Sequence, residues 1–282
     1  MARVDGGAQL GLDFDTVRLI KVTPSRLATW TDCPRRYRMT YLDRPPPPRG
    51  GAQAASTLGA VVHLALRALF DLPPAGRTRA AAAALVDRHW SAEGFRDDEQ
   101  AADHRERARG WVAEYAADLD PEVEPVGREQ WVSVSTERIV AGGRVDRIDR
   151  RGDELVVVDY KTGRREPTEQ DAATAPALAL YALATERTLR RPCRQVELHH
   201  LPSGGVHAWR HDRPGLAAHL HRAETTAAEL ADAADALACG GDREALFPPR
   251  PAPRCGSCDV RRHCPEGRAA APEAPPWAQL AP

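Results

Sequence analysis

The sequence predicts a mixed α/β fold, a sheet of parallel and antiparallel strands flanked by helices. Three observations predict it. Three consecutive stretches with the two-residue alternation of strands occupy the middle of the 282-residue chain, helical periods lie on both sides of them, and a further helix separates them from two more strand-like stretches. The order helix, three strands, helix, strand departs from a strictly alternating nucleotide-binding pattern, and no G-x-G-x-x-G or Walker loop accompanies it. The length allows one domain with elaborations or two intimately packed ones.

The elements follow in order. Residues 1–24 read as a loosely structured N-terminus, and a helix is expected over 25–41, carrying Trp30, Cys33 and Tyr37, until Pro45 to Pro48 stop it. Ser56 is placed to cap a helix over 57–70, with Val61, Val62, Ala65, Leu66 and Leu69 for burial and His63 in its middle. Residues 78–119 read as an inserted helical lobe broken near Gly94. Strands are expected over 129–136, 143–149 and 155–161, then a helix over 171–188, a hairpin over 195–201 and 206–212, and a long helix over 214–238. The reading gives a single domain over 25–268, with a cysteine segment at 255–264 that closes on the N-terminal helix and a Pro/Ala-rich tail at 269–282.

Charge is nearly balanced at a formal −1, so affinity for a polyanion has to come from local patches such as Arg35-Arg36-Tyr37-Arg38 and Arg164-Arg165. No apolar run approaches the roughly 20 residues that span a membrane, and the N-terminus lacks the order of a secretory signal. A cytoplasmic protein is expected, in which clustered cysteines more often bind metal than pair.

Only two of the 39 basic residues are lysines, Lys21 and Lys161. Lys161 lies two residues after Asp159 on a strand, so the two side chains project from one face. If residues 151–154 form the turn between the second and third strands, Arg150 stands opposite Leu155, and counting back sets Asp146 opposite Asp159. Directly opposed Cβ atoms are roughly 4.5–5.5 Å apart, and two carboxylates at that spacing call for a cation between them. The register therefore predicts a divalent metal site, and hard oxygen ligands with one imidazole suit Mg2+ or Mn2+. Read singly, Asp159 and Lys161 are a strand-end ion pair and His63 a structural histidine. Glu129 reads in preference as a surface glutamate at a strand start, with a place near the metal as the alternative.

Gly59-x3-His63, Gly143-x2-Asp146, Asp159-x-Lys161 and Tyr181 together resemble the PD-(D/E)xK nucleases of the RecB-like branch, over roughly residues 25–264. The resemblance implies a restriction-endonuclease-like core and a metal-dependent DNA nuclease. It implies His63, Asp146, Asp159 and the Tyr160 carbonyl as ligands of Mg2+ or Mn2+, and Lys161 as the catalytic lysine, with Tyr181 beside it. The family often carries Gln four residues before that tyrosine, where this chain has Ala177.

Cys255-x2-Cys258-x5-Cys264 needs one more thiolate, and Cys33-Pro34 offers it from more than 220 residues away. Zinc is the general reading of four cysteines, and the spacing is not the ferredoxin run. One cysteine before the core and three after it resemble the iron-sulfur form of the family, found in helicase-nucleases and CRISPR-associated exonucleases, which implies a [4Fe-4S] cluster. Cys193 and Cys239 read as ordinary thiols. The arginines crowding the cysteines, Arg35, Arg36, Arg38, Arg254, Arg261 and Arg262, are expected to lie along a DNA strand. The implied activity is an exonuclease on single-stranded DNA ends in repair or recombination, with a CRISPR prespacer-trimming nuclease or an inactive nucleic-acid-binding module as alternatives. The chain carries no helicase motifs, so a helicase or repair partner, or a frayed end, would supply the single strand.

Overall fold

The computed structural model describes residues 19–120 and 123–280. The expectation for 1–24 falls outside these residues as far as position 18, and the strand β1 (Ile20–Val22) follows. Next come α1 (Pro24–Asp32) and α2 (Pro34–Tyr37), which runs on into a π-helical turn over Arg38–Leu42. The single helix expected over 25–41 is thus interrupted at Cys33, whose backbone is extended, because Pro34 cannot donate to the helix and its ring clashes with the preceding turn. Thr23 caps α1 by accepting from the Arg26 N–H.

The helix α3 (Ala54–Leu69) starts three residues earlier than Ser56 capping requires. Its first turn is held from outside, by the Ala54 N–H donating to the Pro276 carbonyl at 3.1 Å. The helices α4 (Arg79–His89) and α5 (Asp98–Asp118) follow, and the chain reverses between them at Gly94 (φ 82°), where a Cβ would come within 2.6 Å of the Ala52 carbonyl. The strands are β2 (Gly127–Ser135), β3 (Ile139–Arg151) and β4 (Glu154–Lys161). A helical crossover of α6 (Glu169–Thr174) and α7 (Pro176–Leu189), separated at Pro176, leads to β5 (Cys193–His200), which lies parallel to β4. The hairpin partner β6 (Gly205–Arg210), the long α8 (Arg213–Ala238), and the short α9 (Arg243–Leu246) and α10 (Pro265–Ala270) complete the chain.

The six strands form one mixed sheet in the order β1-β3-β4-β5-β6, with β2 also paired to β3. β2 runs along one edge of β3 over 140–148, so β1 and β4 share the opposite edge, at 139–141 and 147–151. The hairpin register matches the expected one: Arg150 pairs with Leu155, although the turn itself is shorter, just Gly152 (φ 61°) and Asp153 between the paired Arg151 and Glu154.

Both faces of the sheet are covered. On one, Val132, Val145, Ile148 and Val157 pack with Leu178, Ala179 and Ala182 of α7. On the other, Val156, Val158 and Tyr160 pack with Val62 and Leu66 of α3, Val86 of α4 and Val112 of α5, and Leu280 of the C-terminal tail packs there too. The segment read as an inserted lobe therefore forms the second core. Within that layer Arg147 is buried against Asp149 at 2.8 Å, and it also donates to the Tyr115 hydroxyl at 2.6 Å and the Tyr160 hydroxyl at 3.2 Å.

A buried charge stripped of its partner is costly, so Asp149→Ala, which leaves the Arg147 guanidinium without a counter-ion, should lower unfolding stability by about 3–5 kcal/mol, measured by urea denaturation.

Candidate metal centre

β3 and β4 separate after the Arg147–Val158 pair. The next step of the register sets Asp146 opposite Asp159, but the ladder is not continued there. The Tyr160 N–H instead donates to the Asp146 carboxylate at 2.9 Å, so a side chain takes over a main-chain donor and the strands open beside it. On the other side of β3, the register that pairs Arg128 with Arg147 and Gln130 with Val145 sets Glu129 opposite Asp146. Glu129 has a left-handed backbone (φ 47°), uncommon for a residue with a side chain. Val145 and Ile148, three residues apart, both enter the core on the α7 side, so the in-out alternation of β3 slips at this level. Glu129, Asp146 and Asp159 thus stand at one level of three neighbouring strands.

His63 reaches this level from α3. Its Nδ1 lies 3.3 Å from the Asp146 carboxylate and its Nε2 3.2 Å from the Tyr160 carbonyl. Gly59, one turn earlier, lets α3 approach the end of β4, since a Cβ there would already touch the Thr162 hydroxyl at 3.4 Å. The Tyr160 ring is clamped by the Arg147 guanidinium, 5.8 Å from its centre, and by edge contacts with His63 and Tyr115, so the backbone carbonyl that faces His63 is held from behind. Lys161 Nζ sits 2.5 Å from Asp159, and its side chain is about half exposed. Tyr181 of α7 closes the site: a Cβ on Gly143 would lie 2.7 Å from its ring, which accounts for glycine at that position. Ala177, with Asp159 and Lys161, lines an adjoining cleft of ≈ 450 Å³.

The electrostatics record the crowding. Burial and the Asp146 charge push the Glu129 carboxyl up. Burial pushes Asp159 up as well, and the Asp146 charge adds to this while Lys161 offsets part of it. Burial opposes the charged form of His63, but its hydrogen bond to Asp146 and the surrounding carboxylates outweigh that and raise its pKa. Tyr181 is pushed up to about 12 by burial and by the same three carboxylates, so its hydroxyl keeps its proton. Among the described residues, His63, Glu129 and Asp146 are the group whose ligand atoms lie within 4.8 Å of one another. Crowded carboxylates, an imidazole with acceptors at both nitrogens and a fixed carbonyl make a donor set that fits a hard divalent cation. The structure brings the sequence-derived His63, Asp146, Asp159, Tyr160, Lys161 and Tyr181 to one place. It corrects the preferred reading of Glu129, whose carboxylate faces the cluster rather than open solvent. The register held that signal, because Glu129 follows from Asp146 by the same counting that gave Asp159.

The cysteines form a second constellation. The break at Cys33 turns its thiol towards the C-terminal segment, and Cys33, Cys255, Cys258 and Cys264 all line one cleft of ≈ 460 Å³. No three of their sulfurs approach within 4.8 Å of one another. Cys264 accepts from the Gly267 N–H at 3.3 Å. Cys193 is buried and Cys239 exposed, away from this cleft.

Two of the arginines around it are committed inside the protein. Arg35 is buried between Glu244 and Glu266, and Arg38 is buried against Glu244 and Asp43. Arg36 pairs with Asp259 at 2.9 Å, Arg254 donates to the Asp32 carbonyl at 2.5 Å, and Arg261 donates to the Ala271 carbonyl at 2.7 Å. Arg35 and Arg38, buried against these carboxylates, strap α2 to the C-terminal segment and leave the expected DNA path, whereas Arg254 and Arg262 are exposed and Arg36 partly so.

A family model described as the PD-(D/E)XK nuclease superfamily matches residues 21–265. Among solved structures, the chain resembles a protein from Eubacterium rectale described as a "Putative exonuclease", at 10% identity and a TM-score of 0.53, over 92% of this chain and 94% of that one. That likeness is one of fold. No curated protein matches the sequence.

The pKa values of His63, Glu129 and Asp159 are all raised, so protons compete with a cation at this site and Mn2+ affinity should fall as the pH falls. The expected slope is about tenfold per pH unit for each proton displaced, measurable by isothermal titration calorimetry between about pH 8 and pH 6.

Proposed function

The chain belongs to the PD-(D/E)XK nuclease superfamily, and from that premise we propose that it is a metal-dependent deoxyribonuclease acting as an exonuclease on single-stranded DNA ends in repair or recombination. The observation that carries the proposal is the meeting of Asp146, Asp159, His63 and the Tyr160 carbonyl at the opening between β3 and β4, with Lys161 held on Asp159. The exonuclease mode draws support from the E. rectale protein of similar fold, which is described as a "Putative exonuclease".

His63, Asp146, Asp159 and the Tyr160 carbonyl would hold Mg2+ or Mn2+, joined by Glu129, whose carboxylate lies within 4.8 Å of the His63 and Asp146 ligand atoms. Such an ion lowers the pKa of a bound water and neutralises charge on the phosphoryl group. Asp159 holds the Lys161 ammonium beside the carboxylate cluster, and the half-exposed Lys161 side chain leaves it open to the attacking water and the phosphoryl oxygens. There it orients the water and offsets negative charge that grows in the transition state. Tyr181, still protonated at neutral pH, supplies a hydrogen-bond donor above the carboxylates. Ala177 leaves the cleft beside Lys161 open where the family often has an amide.

We assign the four clasp cysteines to a [4Fe-4S] cluster with a structural role. What supports this reading is that one cysteine before the core and three after it line a single cleft, the arrangement that resembles the iron-sulfur form of the family. By closing α1 and α2 on the C-terminal segment, the cluster reinforces the arginine straps beside α3 and so steadies the helix that carries His63.

Two experiments test these assignments. With Mg2+ or Mn2+, the chain should degrade end-labelled single-stranded DNA, and Lys161→Ala should slow cleavage by about 10²–10³-fold; no cleavage, or equal cleavage by the variant, would refute the reading. Protein purified without oxygen should carry about four irons per chain and absorb in the visible. Cys33→Ser should lose both, whereas one zinc per chain and no colour would overturn the cluster assignment.

A further inference from the structure

The sheet carries a feature beside the metal centre that the nuclease chemistry does not use. Trp131 is 58% exposed, the most exposed large apolar side chain among the described residues. Val132 and Val134 next to it are fully buried in the α7-side core, so Trp131 projects from the opposite face of β2. An indole of that size on open water forgoes the burial that usually places tryptophan inside.

Its seat is specific. A Cβ on Gly142 would come within 3.0 Å of the Trp131 ring, so the indole lies over a position where any other residue would displace it. Trp131 is directly paired with Arg144 across β2 and β3, and the Arg144 side chain is 61% exposed. The Arg144 guanidinium in turn stands 3.8 Å from Glu129, and Arg67, one turn beyond His63 on α3, adds positive charge at the same carboxylate. Trp131 lies two residues along β2 from Glu129, a rise of about 7 Å. The exposed ring and its guanidinium neighbour therefore adjoin the carboxylate cluster on its β2 side.

We propose that Trp131 and Arg144 form a stacking platform for one unpaired base of the substrate strand, with Arg144 on the neighbouring phosphate. The inference rests on the nuclease reading and names the residues that would make it select single-stranded over duplex DNA. An isolated aromatic face beside a cation takes the π-face of any base, whereas duplex bases have both faces covered by their neighbours. The platform is continuous with the metal centre, and its cations are complementary to phosphate.

The test reads binding rather than cutting, on the Lys161→Ala chain with Ca2+ at fixed salt, by fluorescence anisotropy of a labelled oligodeoxythymidine. Trp131→Ala should weaken binding by roughly 5- to 150-fold, the range for one stacked base, and Trp131→Phe should recover most of the loss. Duplex binding should be unchanged by either. An oligonucleotide with a single abasic residue, moved through the positions near the labelled end, should lose affinity at one position for the Trp131 parent and at none for Trp131→Ala. Circular dichroism of each variant verifies the fold. Unchanged affinity in Trp131→Ala, a phenylalanine variant as weak as alanine, or an abasic penalty that persists without Trp131 would overturn the platform. So would a sedimentation shift showing that Trp131 instead seats a second copy of the chain. Cleavage by wild type that is indifferent to Trp131 would sink the platform and leave the nuclease reading standing. Trp131-dependent binding without any cleavage would do the reverse.

Discussion

Three carboxylates at one level of three adjacent strands set the terms for the rest of the structure. Glu129, Asp146 and Asp159 occupy successive strands where like charges directly opposed are unfavourable, and the fold meets that repulsion with several local departures from regular sheet. Glu129 turns into a left-handed conformation that costs on the order of 1–3 kcal/mol in a non-glycine residue. The alternation of β3 slips, and Asp146 captures the Tyr160 N–H that the ladder leaves free. His63 and Lys161 bring partial compensation, one beside Asp146 and the other beside Asp159. Burial first, and then the Asp146 charge, keep the pKa values of Glu129 and Asp159 raised, and a divalent cation is the species we propose to relieve that crowding.

The surrounding layers hold that arrangement open. Leu66, Val62 and the α4–α5 pair fix α3 against the sheet, which aims His63 at the opening between β3 and β4. Behind it, the Arg147–Asp149 pair and Tyr115 lock the Tyr160 ring, so one residue serves the second core with its side chain and faces His63 in the candidate metal centre with its carbonyl. Farther out, the Gly50 N–H donates to the Asp259 carbonyl at 2.7 Å and the Ala54 N–H to Pro276, fastening the segment before α3 to the C-terminal end. The cysteine clasp lies within that same fastening.

Much of this was legible from local pattern. The alternating stretches and the turn at Gly152 were enough to pair Arg150 with Leu155, and from there the opposition of Asp146 and Asp159 follows by counting. Glu129 was harder, because its approach depends on a positive φ that no propensity assigns to glutamate. The interruption at Cys33 hid in a helix-compatible run, although Pro34 marked it. The arginines misled for a different reason: whether a guanidinium faces solvent or an internal carboxylate depends on Glu244, Glu266 and Asp259, more than 200 residues away. The pairing of Lys161, the rare lysine, with Asp159 was legible because the partner is two residues off and shares its face.

Anomalous scattering from a crystal soaked in Mn2+ tests the account most directly. The account predicts a single strong peak at the opening between β3 and β4, within coordination distance of His63, Asp146, Asp159 and the Tyr160 carbonyl, and its loss in Asp146→Ala. A peak that avoids these residues, or no peak while Mn2+ supports cleavage, would contradict it.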